Sequence, residues 1–421
     1  MKLSVVELFA GVGGFRVGLN HITDIDEKTG RAIEKGDWDF VWANQYEPAT
    51  KTQHAYDCYT TRFKGSECSN LDINKVNKST IPPHSLLVGG FPCQDYSVAR
   101  SISNEKGIEG KKGVLFWDIK DVIKEKNSPF ILLENVDRLL KSPASMRGRD
   151  FAIMLKTFEH FGYYVTWRVI NAGEYSMPQK RRRVFIFAFK KDTKYAKWFK
   201  NLSVDETMYF NIFNETFPIK KEDYTIEKTD LNNYSDVLDV SNTFSDGKFS
   251  TFGFMKDGEV FHTDVKIEME NVYSLKKLLD EAKNFNPKDK SNYVVEDEKL
   301  DKWKYLKGAK RIERTSKSGH KYIYSEGGMS FPENMDEPAR TMLTSEGTLN
   351  RSSHIVFDNE IGKYRILTPV ECEMIQMFPP HWTDTELMTE RKRYFMMGNA
   401  LVTGIIARLE PKLKEIILNE D

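Results

Sequence analysis

Three short stretches of the 421-residue chain pair reactive side chains with a local pattern that would aim them. The first is Gly89-Gly90-Phe91-Pro92-Cys93-Gln94, directly after the apolar run Leu86-Leu87-Val88. A thiol there has two readings. Most free cysteines are small buried hydrophobes. Pro92 and the paired glycines instead describe a tight, rigid loop at a strand end, where a thiol held as thiolate is a nucleophile. The second stretch, Phe130-Ile131-Leu132-Leu133-Glu134-Asn135-Val136, ends an apolar strand with a carboxylate. A charge there is costly unless it binds something or keeps its proton; a helix-capping pair at the strand end fits equally well. The third is Gln179-Lys180-Arg181-Arg182-Arg183, leading into Val184-Phe185-Ile186. Basic runs are usually solvated faces. Here Arg181 and Arg183 alternate, so they share one side of a strand, and guanidinium groups hold carbonyl oxygens and phosphates in fixed geometry.

The elements that must position these groups are legible as short apolar runs. Val5 to Phe9, Phe40 to Ala43, Leu86 to Val88, Phe130 to Leu133, Val165 to Ile170 and Val184 to Phe189 read as strands. Between them, Phe15, Gly18, Leu19 and Ile22, then Leu115, Ile119, Val122 and Ile123, then Phe151, Leu155 and Phe158 recur at helical spacing. Alternating βα units predict an α/β fold with a mostly parallel sheet covered on both faces. Phe9-Ala10-Gly11-Val12-Gly13-Gly14 joins the first strand to the first helix. Such a turn either lets backbone approach a nucleotide-like ligand at a helix N-terminus or is only a tight connection. After Lys190 the patterning lapses. Residues 1–190 are therefore expected to form a catalytic and cofactor-binding domain and 191–330 a smaller second domain. Residues 331–421 would complete the small domain and return to the first.

Composition narrows the setting. Lys plus Arg and Asp plus Glu both number 62, so a polyanionic partner must be met by local clustering of basic residues. The four cysteines, Cys58, Cys68, Cys93 and Cys372, show no CxxC spacing, which predicts free thiols, no metal site and a reducing compartment. Glu7 interrupts the apolar N-terminus, and no stretch has membrane-spanning length, so a cytoplasmic protein is expected.

Together the motifs resemble the cytosine carbon-5 DNA methyltransferase family. Phe9 to Gly14 is similar to its cofactor loop, Pro92-Cys93-Gln94 to its nucleophile motif, Glu134-Asn135-Val136 to its ENV motif and Gln179-x-Arg181-x-Arg183 to its QxRxR motif. Gly398-Asn399-Ala400-Leu401-Val402 resembles the last motif. The resemblance spans residues 1–190 and resumes from about 335 to the end. It implies a Rossmann-like methyltransferase sheet with a target-recognition domain in 191–330. It also implies S-adenosylmethionine as methyl donor, leaving S-adenosylhomocysteine, and double-stranded DNA as substrate.

Residue by residue, the resemblance places Phe9, Ala10, Gly11, Gly13, Gly14 and Pro92 beside the cofactor. Tyr46 stacks on adenine, Asp72 and Ile73 meet its edge, and Leu115 and Asn399 complete the pocket. One departure concerns the ribose: Gln45 stands where the family usually has an acidic residue, with Glu47 a possible substitute. Cys93 would add to cytosine carbon 6, Glu134 would serve ring nitrogen 3, and Arg183 with Arg181 would hold the base's carbonyl oxygen or the adjoining phosphate. Gln94, Ser97 and Arg100 fall on a basic, glycine-containing loop, residues 97–113, that is either an ordinary surface loop or one that closes over extruded DNA. Lys310, Arg311, Arg314 and Ser318 lie in a basic, aromatic stretch suited to phosphate and base-edge contact. A monomer is expected, in a restriction–modification setting with a cognate endonuclease.

Overall fold

The computed structural model describes residues 1–63, 67–91, 115–316 and 319–420. The chain begins β1 (Ser4–Leu8), α1 (Gly14–Leu19), β2 (Asp39–Asn44), α2 (His54–Arg62), β3 (Cys68–Ser69) and β4 (Leu86–Gly90). It continues with α3 (Leu115–Lys126), β5 (Phe130–Val136), α4 (Arg149–His160), β6 (Tyr163–Asn171) and β7 (Arg182–Lys190). Next come α5 (Lys194–Asn201), α6 (Val204–Tyr209), α7 (Ile212–Thr216), β8 (Glu227–Asp230), α8 (Val237–Thr243), β9 (Phe252–Lys256) and β10 (Glu259–Thr263).

These strands form one ten-stranded sheet in the order β3-β2-β1-β4-β5-β7-β6-β9-β10-β8. The pairs from β3 to β5 are parallel, and every pair from β5 onward is antiparallel. Strands β1 to β6 and β10 therefore point one way, and β7, β8 and β9 the other. The sheet's central strands β1, β4, β5, β6 and β7 are buried on both sides, which is why they read as largely apolar runs. On one face Val6, Leu87, Ile131, Leu133, Val165 and Ile186 pack with Phe116, Ile119 and Val122 of α3 and Phe151, Leu155 and Phe158 of α4. On the other, Val5, Leu86, Phe130, Leu132, Phe185 and Phe187 pack with Phe15 of α1 and Phe199 of α5. The C-terminal helix α13 (Thr403–Leu418) joins this second layer through Ile405, Ile406, Leu409 and Leu413. A Cβ at Gly18 would lie 2.5 Å from Ile406 Cβ, so glycine is what lets α1 and α13 pack backbone to side chain.

The expected boundary after residue 190 does not coincide with an edge of the sheet. β9 pairs with β6 and brings β10 and β8 with it, while Phe252 and Phe254 enter the same core as Phe185. A Cβ at Gly253 would lie 2.3 Å from Trp167 Cζ2, so the strand passes directly over the indole. Its five-residue signal, Phe-Gly-Phe-Met-Lys, is short and set in polar sequence, which hides it from a periodicity reading.

The next stretch of chain comprises α9 (Leu275–Ala282), α10 (Asp297–Lys307), the antiparallel ribbon β11 (Lys310–Thr315) and β12 (Lys321–Glu326), and the hairpin β13 (Ile355–Asp358) and β14 (Lys363–Ile366). It is followed by α11 (Pro369–Ile375) and α12 (Glu390–Asn399). Arg340 holds this stretch internally by two 2.7 Å bonds to Glu333, which also takes Lys307 at 2.9 Å. No helix among the described residues is long and apolar enough to cross a membrane.

Candidate active site

The C-terminal ends of β1, β2, β4 and β5 open onto a cavity of about 900 Å³, where ligands bind in open α/β sheets. At its β1 side, Phe9 leaves the strand with φ 54°, and Gly11 and Gly13 follow at φ 55° and 87°. These left-handed values favour glycine. A Cβ at Gly13 would lie 2.5 Å from Phe63 Cε2, whereas one at Gly11 would meet nothing within 4 Å. The loop thus packs on α2 through Gly13 and faces open space at Gly11. Phe9, Ala10, Gly11 and Gly14 line the cavity with Gln45, Tyr46 and Glu47 from the end of β2, Leu115 of α3 and Asn399.

Gln45 is committed on one side. Its Oε1 accepts a 2.7 Å bond from Gly11 N–H, while its amide nitrogen has no partner among the described residues. Glu47 Oε2 accepts from Ala55 N–H at 2.8 Å, in the first turn of α2, so this carboxylate serves the helix. Asp72 and Ile73 do not line the cavity. Asp72 accepts from Asn74 N–H at 3.1 Å as the cap of a short 3-10 turn, and Ile73 is buried in the core.

The β5 side carries Glu134, Val136, Arg138, Arg181 and Arg183. Glu134 pairs with Gly90 on β4 and with Phe185 on β7. Arg183, two residues from Phe185, is therefore its diagonal neighbour on the same face. Arg183 Nε lies 2.9 Å from Glu134 Oε1. Burial raises the Glu134 carboxyl above the ordinary glutamate range, opposed by Arg183 and Arg181. The second oxygen, Oε2, has no protein partner among the described residues, and a Cβ at Gly90 would stand 3.1 Å from it. Asn135 Nδ2 donates to Phe91 O at 2.8 Å, tying the strand end to the start of the Pro92-Cys93-Gln94 stretch.

Arg181 behaves differently from Arg183. It is buried and donates to Met342 O at 2.9 Å and Gly398 O at 3.0 Å. Burial, with Arg183 nearby, pushes its guanidinium down to about 9. Gln179 Oε1 accepts from Met342 N–H at 3.1 Å. The QxRxR stretch therefore staples two distant segments to the sheet, and Gly398 permits it: a Cβ there would lie 2.4 Å from the backbone of Leu343 and Thr344.

Pro92, Cys93, Gln94, Ser97, Arg100 and Ser318 lie outside the described residues. Lys310, Arg311 and Arg314 stand on the β11–β12 ribbon and not on the cavity wall. Cavity residues that the sequence reading did not single out include Arg138, Ser142, Phe378, Phe395 and Met396. Arg138, two residues beyond the ENV triplet, was within reach of a motif already recognised; Phe378 and Phe395 carry no local signal.

The family model for C-5 cytosine-specific DNA methylase matches residues 3–415. The chain belongs to this family. Its substrate is therefore DNA, and its reaction is transfer of a methyl group to cytosine carbon 5 from the family's donor, S-adenosylmethionine. The chain is 47% identical to the type II methyltransferase M.Sau3AI of Staphylococcus aureus, covering 99% of this chain and 96% of that protein. It is 34% identical over 191 residues to the type II methyltransferase M.SsoII of Shigella sonnei, 45% of this chain and 44% of that one. The solved S. pombe Dnmt2 methyltransferase shares the fold, with a TM-score of 0.57 at 16% identity over 99% of both chains.

Proposed function

We propose that this methyltransferase extrudes one cytosine of a short duplex sequence and methylates it through a covalent adduct. The Glu134–Arg183 pair on the wall of a cavity that also contains the glycine loop carries the reading. Phe9, Gly11, Gly14, Gln45, Tyr46, Leu115 and Asn399 would hold S-adenosylmethionine: aromatic and apolar walls suit its adenine, and the open space at Gly11 lets backbone approach. When bound, it supplies an electrophilic methyl group on a sulfonium.

Carbon 5 of cytosine is a weak nucleophile. Addition of the Cys93 thiolate to carbon 6 gives carbon 5 enamine character and divides one hard step into easier ones. Glu134, with its raised proton affinity and open Oε2, donates to ring nitrogen 3 as the thiolate adds, and its carboxyl accepts from the exocyclic amine. Arg183 orients the carboxyl and would hold the base's carbonyl oxygen or the adjoining phosphate. Arg181 spends its donors on two backbone carbonyls and acts by positioning. After transfer, a base or water removes the carbon-5 proton and Cys93 departs.

The target nucleotide lies in a base stack, so extrusion is required. Residues 97–113, with Gln94, Ser97 and Arg100, would contact DNA around it, and Lys310, Arg311, Arg314 and Ser318 would contribute to target recognition. The full-length match to a type II methyltransferase supports a restriction–modification role; a cognate endonuclease and a monomeric enzyme complete that reading.

The test is bisulfite sequencing of genomic DNA from bacteria lacking cytosine methylation that express the protein or Cys93→Ala. Protected cytosines in one short context, lost in the variant, are expected. Equal protection from the variant would sink the covalent mechanism.

A further inference from the structure

On the proposed reading of the site, the β5 end of the cavity holds more positive charge than its protein groups neutralise. Its charged side chains are Glu134, Arg138, Arg181 and Arg183. Arg183 is matched by Glu134 at 2.9 Å, and Arg181 is held by neutral carbonyls. The nearby Asp137 is already taken by Arg182 at 3.3 Å. Arg138 is exposed and has no hydrogen-bond or ion-pair partner among the described residues, although it lines the cavity. It stands on the five-residue 3-10 turn Asp137–Lys141 that leaves β5 directly after Glu134-Asn135-Val136.

We infer that Arg138 binds a backbone phosphate flanking the extruded cytosine and so fixes the nucleotide while Glu134 grips the base. An uncommitted guanidinium on a wall shared with two others is available to an anion, and its fork suits phosphate oxygens. The other anion brought to this cavity is the carboxylate of the methyl donor. The glycine loop leaves β1, and two strand spacings, about 10 Å, separate β1 from β5 in the order β1-β4-β5. Gln45 and Tyr46 follow β2, one strand further. Arg138 therefore belongs to the nucleotide end.

The experiment uses the full-length protein with its cognate duplex, once with ordinary phosphates and once with neutral methylphosphonates flanking the target cytosine. Arg138→Ala is expected to raise KM for DNA about tenfold, to change kcat little, and to lower the slope of log affinity against log salt by about one. Arg138→Lys recovers part of the loss. Neutral phosphates should weaken the parent by a similar factor and leave Arg138→Ala unaffected, with S-adenosylmethionine affinity equal in both. If neutral phosphates weaken both proteins equally, or Arg138→Ala loses donor affinity instead, the assignment is wrong. A parent that binds the donor yet methylates no DNA cytosine would overturn the reading of the site itself; normal methylation indifferent to Arg138 would overturn only this inference.

Discussion

Arg183 on β7 and Glu134 on β5 meet diagonally across an antiparallel pair, with Nε 2.9 Å from Oε1. The contact takes one carboxyl oxygen and leaves the other facing the cavity. It also moderates, without cancelling, the rise in proton affinity that burial imposes on Glu134. Glu134→Gln keeps the shape but cannot deliver a proton. Single-turnover methylation should fall by about 10²-fold or more, the usual contribution of a general acid, with donor affinity unchanged. A loss under threefold would remove Glu134 from the chemistry.

Gln45 offers a sharper test of the donor pocket. Its oxygen is spent on Gly11 N–H, so only its amide nitrogen is available to a ribose. Gln45→Glu keeps an acceptor for Gly11 and replaces that nitrogen with a charged oxygen. Charge-assisted bonds are roughly twice as strong as neutral ones, so S-adenosylmethionine should bind about fivefold tighter by titration calorimetry. Gln45→Ala should bind more weakly than the parent. The opposite order would place the ribose elsewhere.

Glu7, at the end of β1, bears on stability. Its carboxyl is fully buried and accepts from Tyr59 OH at 3.1 Å. Burial pushes it from 4.5 up to about 8, against smaller opposing effects from Tyr59 and Arg16. The folded state thus holds a proton that the unfolded chain releases near 4.5. Glu7's contribution to stability is complete below that value and is lost as pH rises towards 8. Glu7→Gln should therefore gain on the parent between pH 5 and pH 8, by a few kcal/mol at the upper end. Thermal unfolding at several pH values reads the gap; a constant gap would contradict the argument.

The β11–β12 ribbon separates two kinds of arginine. Arg314 lies 3.8 Å over the Tyr324 ring, on the face where Lys310 meets Glu326. Arg311 is on the opposite, exposed face and has no partner among the described residues. A two-stranded ribbon fits the major groove. Arg311→Ala should weaken DNA binding and its salt dependence more than Arg314→Ala, which should also loosen the ribbon. Fluorescence anisotropy at two salt concentrations, with thermal melts, distinguishes them. Equal binding losses without a change in melting would reverse the assignment.

What the sequence determined by itself was local. Apolar runs marked β1, β4, β5 and β7 because strands buried on both faces tolerate few polar residues. The glycine turn, Glu134 and Arg183 sat at their ends, in motifs of only a few residues. Tertiary structure decided what depends on pairing between distant segments. β9 joins β6 across more than eighty residues, so the large sheet extends past residue 190. Arg181 and Arg183, two residues apart, diverge because one reaches the carbonyls of Met342 and Gly398 and the other reaches Glu134. Gln45 became half-committed only when Gly11 folded against it. Residue type sets what a side chain is able to donate or accept; the fold sets which of those capacities the protein has already used.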